Sequence, residues 1–212
     1  MQPFSSNRKE PKTKAVAFQS KIMGCTWHHT LIFNPGLLPV ATANYNYFRQ
    51  GLLSMAVVVN KPLPEFEANA TGGLKVSNQT HLGKVVVLYF YPKDNTPGCT
   101  TEAMQFRDRY KDFVKAGATV FGVSRDNMKS HDEFKSKLEL PFELIADTEE
   151  KMCHMFGVVK NKIMYGKKVK GIERSTFLVG ADGLLKEEWR GLKVPGHVDD
   201  VLKAVKGLKK AA

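Results

Sequence analysis

Residues 84–91 read Lys-Val-Val-Val-Leu-Tyr-Phe-Tyr, an apolar run bounded by a lysine and by Pro92. β-branched and aromatic residues favour extended chain. The run shows no alternation of polar and apolar positions, so it reads as a strand covered on both faces. A strand buried on both sides needs a layer above it and a layer below. The rest of the chain must therefore supply amphipathic elements to cover it.

The downstream sequence supplies them. Ala103, Phe106, Tyr110 and Phe113 recur at helical spacing and predict a helix from about Thr100 to Lys115, ended by Gly117. Ala118 to Val123 is a second apolar strand. Helical spacing returns at His131, Phe134 and Leu138, followed by a short strand at Glu143 to Ala146 and a helix near Glu149 to Phe156. Two hairpins are predicted. One joins Phe66–Thr71 to Leu74–Ser77 across Gly72-Gly73, and the other joins Thr176–Val179 to Leu184–Trp189 across Gly180-Ala181-Asp182-Gly183. Val198, Val201, Leu202, Val205 and Leu208 give a last helix one apolar face. Strand–helix alternation with hairpins at the ends predicts an α/β fold, a central mixed sheet flanked by helices with an N-terminal β-hairpin.

Residues 1–54 follow no such pattern, and the regular domain is expected to span 55–212. The N-terminal stretch reads as a targeting segment, a disordered tail, or an extension ahead of a true start at Met55. Its apolar part is broken at Asn34-Pro35-Gly36, which argues against a signal peptide, and a disordered or spurious extension is the favoured reading. Cys25, His28 and His29 lie inside it and lack the further ligands a metal site needs.

The 212 residues carry a formal charge of +11, of which +5 falls before Met55 and +6 after it. A diffuse excess of this kind, without zinc-finger spacing or an RNA-binding aromatic motif, predicts no nucleic-acid partner. No apolar run is long enough to predict a membrane span. The three cysteines, at 25, 99 and 153, form no CxxC pair, so neither a disulfide scaffold nor a zinc cluster is expected and a cytoplasmic location is.

Cys99 is placed where the buried strand gives way to the helix, in Pro92-Lys93-Asp94-Asn95-Thr96-Pro97-Gly98-Cys99. The free N–H groups and positive dipole end of a helix favour thiolate over thiol. Thr96 can set a hydroxyl beside the sulfur. Pro92 and Pro97 stiffen the loop, and Gly98 permits close approach of the backbone. Lys93 reads as a solvated charge. Arg174, at the start of the apolar stretch 175–179, is a candidate cation for the thiolate, although spacing alone suits a surface arginine better.

The segment 92–99 matches the PxxxTxxC motif of the peroxiredoxins. The longer run Tyr89 to Ala103, with Lys162 to Lys170, Glu173 to Leu178 and Lys193-Val194-Pro195-Gly196-His197, resembles the bacterioferritin comigratory protein subgroup of that family over about residues 57–210. The resemblance implies a thioredoxin-like fold and reduction of hydrogen peroxide and organic hydroperoxides, in antioxidant defence. It assigns Cys99 as the peroxidatic nucleophile, oxidised to a sulfenic acid. It assigns Thr96 to hydrogen bonding of thiolate and peroxide, Arg174 to stabilising the developing charge, Pro92 to shielding, and Glu102 to the supporting network. No cofactor or metal is implied.

One departure from the subgroup matters. Many of its members carry a resolving cysteine five residues after the peroxidatic one, and this chain has Met104 there. Cys153 has two readings, a resolving thiol or a buried inert residue. The favoured reading is a one-cysteine cycle closed by an external thiol: thioredoxin, glutaredoxin or a small thiol. A monomer or weak homodimer is expected. Two other functions compete: a dithiol oxidoreductase, which lacks its second cysteine here, and a non-enzymatic basic holdase or nucleic-acid-binding module on the same fold.

Overall fold

A computed structural model describes residues 56–164 and 167–211. The expectations for 1–54, including Cys25, His28 and His29, lie outside the described residues.

A five-stranded sheet forms the centre, in the order β5–β4–β3–β8–β9. The apolar run is β3 (Val85–Phe90), in the middle position. Parallel to it lies β4 (Ala118–Ser124), and β5 (Glu143–Ala146) is parallel to β4. On the other side β8 (Ser175–Val179) runs antiparallel to β3, and β9 (Leu185–Arg190) antiparallel to β8. The sheet is mixed, as predicted.

Side chains alternate across β3 and divide the interior in two. Val87, Tyr89 and Tyr91 face a core that also holds Ala103, Phe106 and Phe113 of α1 (Pro97–Lys115), Phe134 and Leu138 of α2 (Met128–Leu138), and Val198, Val201, Leu202 and Val205 of α4 (His197–Ala211). Val86, Leu88 and Phe90 face the opposite core, with Met152 and Cys153 of α3 (Lys151–Met155) and with Phe156 and Phe177. Burial on both faces explains the unbroken apolar run.

The N-terminal hairpin pairs β1 (Glu67–Asn69) with β2 (Lys75–Ser77). Its turn carries Gly72 and Gly73, both at positive φ near 70°, a conformation that glycine adopts without a Cβ clash. Thr71 Oγ1 in that turn binds the Glu143 carboxylate and accepts from the Leu144 N–H at 3.0 Å, docking the hairpin on β5.

One element was absent from the sequence reading. Residues 159–172 form a separate antiparallel pair, β6 (Val159–Met164) and β7 (Lys167–Ile172). Lys160, Lys162, Lys167, Lys168 and Lys170 interrupt any apolar alternation there, so the strand signal is hidden. The return from β7 brings Glu173 and Arg174 to the start of β8. The Glu173 N–H donates to the Val158 carbonyl at 2.8 Å, fixing that return beside α3.

Candidate active site

The chain leaves β3 at Phe90, turns through residues 91–96 and enters α1 at Pro97. Proline suits the first helical position because its φ is preset and its missing N–H would have had no helical partner. The first helical bond runs from the Thr100 N–H to the Thr96 carbonyl at 2.9 Å. Cys99 therefore sits in the opening turn, among N–H groups that have no acceptor within the helix. Asn95 bends the loop at φ 57°.

Arg174 reaches this turn from the start of β8. Its Nη2 donates to Cys99 Sγ at 3.2 Å. Its Nη1 pairs with the Glu102 carboxylate, one helical turn beyond Cys99. The guanidinium is thus shared between the sulfur and a carboxylate. Spacing alone suits a surface arginine. Instead the Arg174 side chain is 15% exposed and Glu102 fully buried. Gly98 makes the approach possible, since a Cβ on it would lie 3.3 Å from Arg174 Nη2.

Burial pushes the Glu102 carboxyl up to about 7, against the pull of Arg174. Its Oε1 has no hydrogen-bond partner among the described residues. Behind the pair, His197 at the start of α4 contacts Thr176 Oγ1 through Nε2 at 2.7 Å and lies edge-on to Trp189 and Phe106. Burial pushes the His197 imidazole down to about 4, with Asp200 opposing the shift and the Arg174 charge adding to it.

Thr96 is the N-cap of α1, but its hydroxyl does not cap the helix. It donates to the Lys93 carbonyl at 3.0 Å. That choice leaves the oxygen's lone pairs free to accept. Lys93 is exposed, as expected of a solvated charge, and Pro92 is half-buried at the loop's entry. Cys99 itself is covered, with 1% of its surface exposed.

Met104 lies on the exposed side of α1 and offers no thiol. Cys153 is fully buried in the core on the other face of the sheet from Cys99. Burial drives its thiol far above the ordinary value, and the Asp147 carboxylate pushes it further. Both cysteines are free.

A second polar cluster flanks the loop, and only one of its members was singled out from sequence, His131, read as part of an apolar helical face. Asp94 accepts from Tyr91 Oη at 2.8 Å and Ser130 Oγ at 2.7 Å, and meets His131 Nδ1 at 2.9 Å. Burial disfavours its carboxylate, yet the hydrogen bonds from His131, Ser130 and Tyr91 and the charge of His131 outweigh that and hold Asp94 below its ordinary value. A histidine at helical spacing with phenylalanine and leucine, and a loop aspartate, were the available signals. Nothing in the sequence paired them.

The AhpC/TSA family matches residues 59–188 of the chain. Peroxiredoxin Bcp of Xanthomonas campestris is 48% identical over 151 residues, which span 70% of this chain and 94% of that one. Peroxiredoxin Bcp of Bacillus subtilis is 44% identical over 154 residues, 73% of this chain and 98% of its own. A solved Xanthomonas campestris bacterioferritin comigratory protein, described for its alkyl peroxide reduction activity, superposes with a TM-score of 0.65 at 47% identity, covering 68% of this chain and 92% of that one.

Proposed function

Since the chain belongs to the AhpC/TSA family, as a peroxiredoxin of the bacterioferritin comigratory protein type with a thioredoxin-like fold, we propose that it is a thiol peroxidase whose nucleophile is Cys99. The observation that carries the assignment is the 3.2 Å contact of Arg174 Nη2 with Cys99 Sγ in the first turn of α1. A fixed cation beside the sulfur favours thiolate, the form that attacks.

The thiolate sulfur attacks one oxygen of the peroxide. An S–O bond forms and the O–O bond breaks. The departing oxygen takes the bond's electron pair and, with a proton, leaves as water or an alcohol. Cys99 is left as the sulfenic acid, with sulfur oxidised and peroxide reduced. Arg174 offsets the negative charge that builds on the oxygens. Thr96 Oγ1, its hydrogen held by the Lys93 carbonyl, accepts from the peroxide hydroxyl and orients it. Pro92 shields the entry, and Glu102 holds the guanidinium in place.

An external thiol then attacks the sulfenic sulfur, releasing water and forming a mixed disulfide, and a second thiol frees Cys99. We assign this external route because Met104 offers no thiol and Cys153 is buried across the sheet. Thioredoxin, glutaredoxin or a small thiol fits the requirement. Free cysteines and a thiol-consuming cycle suit a reducing compartment, and we assign the cytoplasm. Among the described residues no helix is long and apolar enough to cross a membrane. We assign the activity to the 55–212 domain, because the family match falls within it.

The test is peroxide consumption with a thiol donor, and intact mass after one equivalent of peroxide. Loss of turnover in Cys99→Ser, and one added oxygen trapped at Cys99, are expected. Turnover that survives Cys99→Ser would refute the assignment.

A further inference from the structure

We propose that the buried Asp94–His131 pair pins the loop that carries Cys99, which makes His131 a positioning residue for the peroxidatic thiol. The proposal rests on the reading of Cys99 as the reactive cysteine.

The loop has few other attachments. Asn95 Oδ1 accepts from the exposed Lys137 Nζ at 3.4 Å, and Thr96 Oγ1 bonds within the loop. The described hydrogen bonds that otherwise tie residues 92–95 to distant segments run through Asp94. Its N–H donates to Asp126 Oδ2 at 2.9 Å, and Asp126 is held in turn by Ser124 Oγ at 2.7 Å. Its carboxylate takes Tyr91, Ser130 and His131. Ser130 and His131 both come from α2, whose start is capped by Asn127 Oδ1 accepting from the Ser130 N–H at 2.9 Å. The loop is therefore fastened to a capped helix by the buried bonds of Asp94, five positions before Cys99, with the long exposed Asn95–Lys137 contact beside them.

The surroundings of His131 identify the fastener as a ring N–H on the Asp94 carboxylate. The imidazole is fully buried. Nε2 faces the Ile145 carbonyl at 3.2 Å, and Nδ1 faces Asp94 Oδ2 at 2.9 Å. A carbonyl oxygen only accepts, so Nε2 carries a hydrogen. A bare Nδ1 would set its lone pair against a carboxylate oxygen 2.9 Å away. A hydrogen on Nδ1, donated to the Asp94 carboxylate, satisfies both groups. Tyr91 Oη, 3.4 Å from Nδ1, spends its hydrogen on Asp94. Of the other charged groups at the loop, Asp126 binds the Asp94 backbone, and Lys93 and Lys137 are exposed.

The pin matters because the site has little slack. Arg174 Nη2 is 3.2 Å from Cys99 Sγ, and space beside Gly98 is already filled by the same guanidinium. A loop freed at Asp94 moves the first turn of α1 relative to β8, and the Arg174–Cys99 contact lengthens. Misplacements of about 1 Å cost catalysis up to roughly 100-fold.

Two substitutions separate the pin from general support of the fold. The Asn amide occupies the place of Nδ1, so His131→Asn keeps a donor for Asp94 and gives up Ile145. The Gln amide reaches the place of Nε2, so His131→Gln keeps Ile145 and gives up Asp94. We expect His131→Gln to move the midpoint of Cys99 alkylation to higher pH and to lower kcat/KM for peroxide roughly 10- to 100-fold. His131→Asn stays near wild type in both, and reduction by the thiol donor is unchanged in either. An unaltered alkylation profile in His131→Gln, or equal losses in the two variants, overturns the pin. If His131→Gln does not fold, nitrogen NMR of the wild-type protein decides. A hydrogen on Nδ1 of His131 where Cys99 is reactive supports the pin, and a bare Nδ1 overturns it. Wild-type protein that fails to consume peroxide would instead defeat the peroxidase reading.

Discussion

Cys99 and Cys153 lie in the two cores on opposite faces of the same sheet. β3 contributes to both, with Tyr89 and Tyr91 turned toward Cys99 and Leu88 and Phe90 toward Cys153. For the sulfurs to meet, one of the two cores must open. Cys153 is also anchored by its own backbone, whose N–H donates to Asp147 Oδ2 at 2.7 Å. The same aspartate pushes the thiol away from ionising, so Cys153 is a poor nucleophile as well as a distant one.

Removal of Cys153 should therefore leave the proposed cycle intact. In Cys153→Ser, peroxidase turnover with a thiol donor should stay within about twofold of wild type, and stability should change little, since a hydroxyl there keeps the thiol's hydrogen bond to the Asp147 carboxylate. Mass analysis of the oxidised wild-type protein should show one added oxygen and no loss of two hydrogens. A Cys99–Cys153 disulfide formed at the rate of turnover would show that the core opens and that the external route is wrong.

The Thr96 hydroxyl gives a sharper prediction, because its hydrogen is already placed on the Lys93 carbonyl. A peroxide can donate to it, and an alkylating agent without a hydroxyl cannot. Thr96→Val should reduce kcat/KM for peroxide by roughly 10- to 1,000-fold, the range for loss of a group that orients the substrate or steadies transition-state charge. Alkylation of Cys99 should change far less, and Thr96→Ser should recover most of the peroxide rate. Equal losses in both reactions would mean that Thr96 shapes the loop and does not touch substrate.

The parts of the site close in sequence were legible, and the parts assembled across the fold were not. The buried strand, the turn and the first helix lie within residues 84–115, so periodicity and proline placement suffice to set Cys99 at a helix start. Arg174 is 75 residues away. Spacing alone left it on the surface, and only the family resemblance brought it to the sulfur. His131 was seen on the correct helical face, with Phe134 and Leu138, and that face is buried. Its partner Asp94 lies in a loop, where an aspartate is ordinarily read as turn chemistry. The lysine-rich β6–β7 pair had no alternation to reveal it. Hydrophobic patterning reports which residues are buried, and it is silent on which buried polar groups meet.

Gly98 offers a case in which stability and activity should part. Its backbone is helical in α1, where alanine is the better residue. Among the described residues, and apart from the neighbouring helix backbone, the atom that meets the added methyl is Arg174 Nη2 at 3.3 Å. Gly98→Ala should therefore melt no lower than wild type, and up to about 1 kcal/mol more stable. Its peroxide kcat/KM should fall roughly tenfold as the guanidinium is displaced from the sulfur. A variant that keeps full activity would show that Arg174 has room to adjust.

The two buried titrating groups around Arg174 predict opposite pH effects on stability. Glu102 has its folded value raised from an ordinary 4.5 to about 7. The folded state binds its proton more tightly, so this contribution is fully present below about 4.5 and is lost as pH rises through about 7. The full loss is about 3 kcal/mol. His197 has its folded value lowered from 6.5 to about 4. Its contribution is present above about 6.5 and is lost as pH falls through about 4. Across the shared window the two slopes oppose one another, and wild-type stability should change little. Glu102→Gln should expose the His197 slope, with stability rising between about pH 4 and 6.5. His197→Asn should expose the Glu102 slope, with stability falling between about pH 4.5 and 7. Denaturant midpoints measured across that range check both signs. Parallel pH curves for wild type and the two variants would mean that neither group titrates inside the folded protein as the geometry around Arg174 requires.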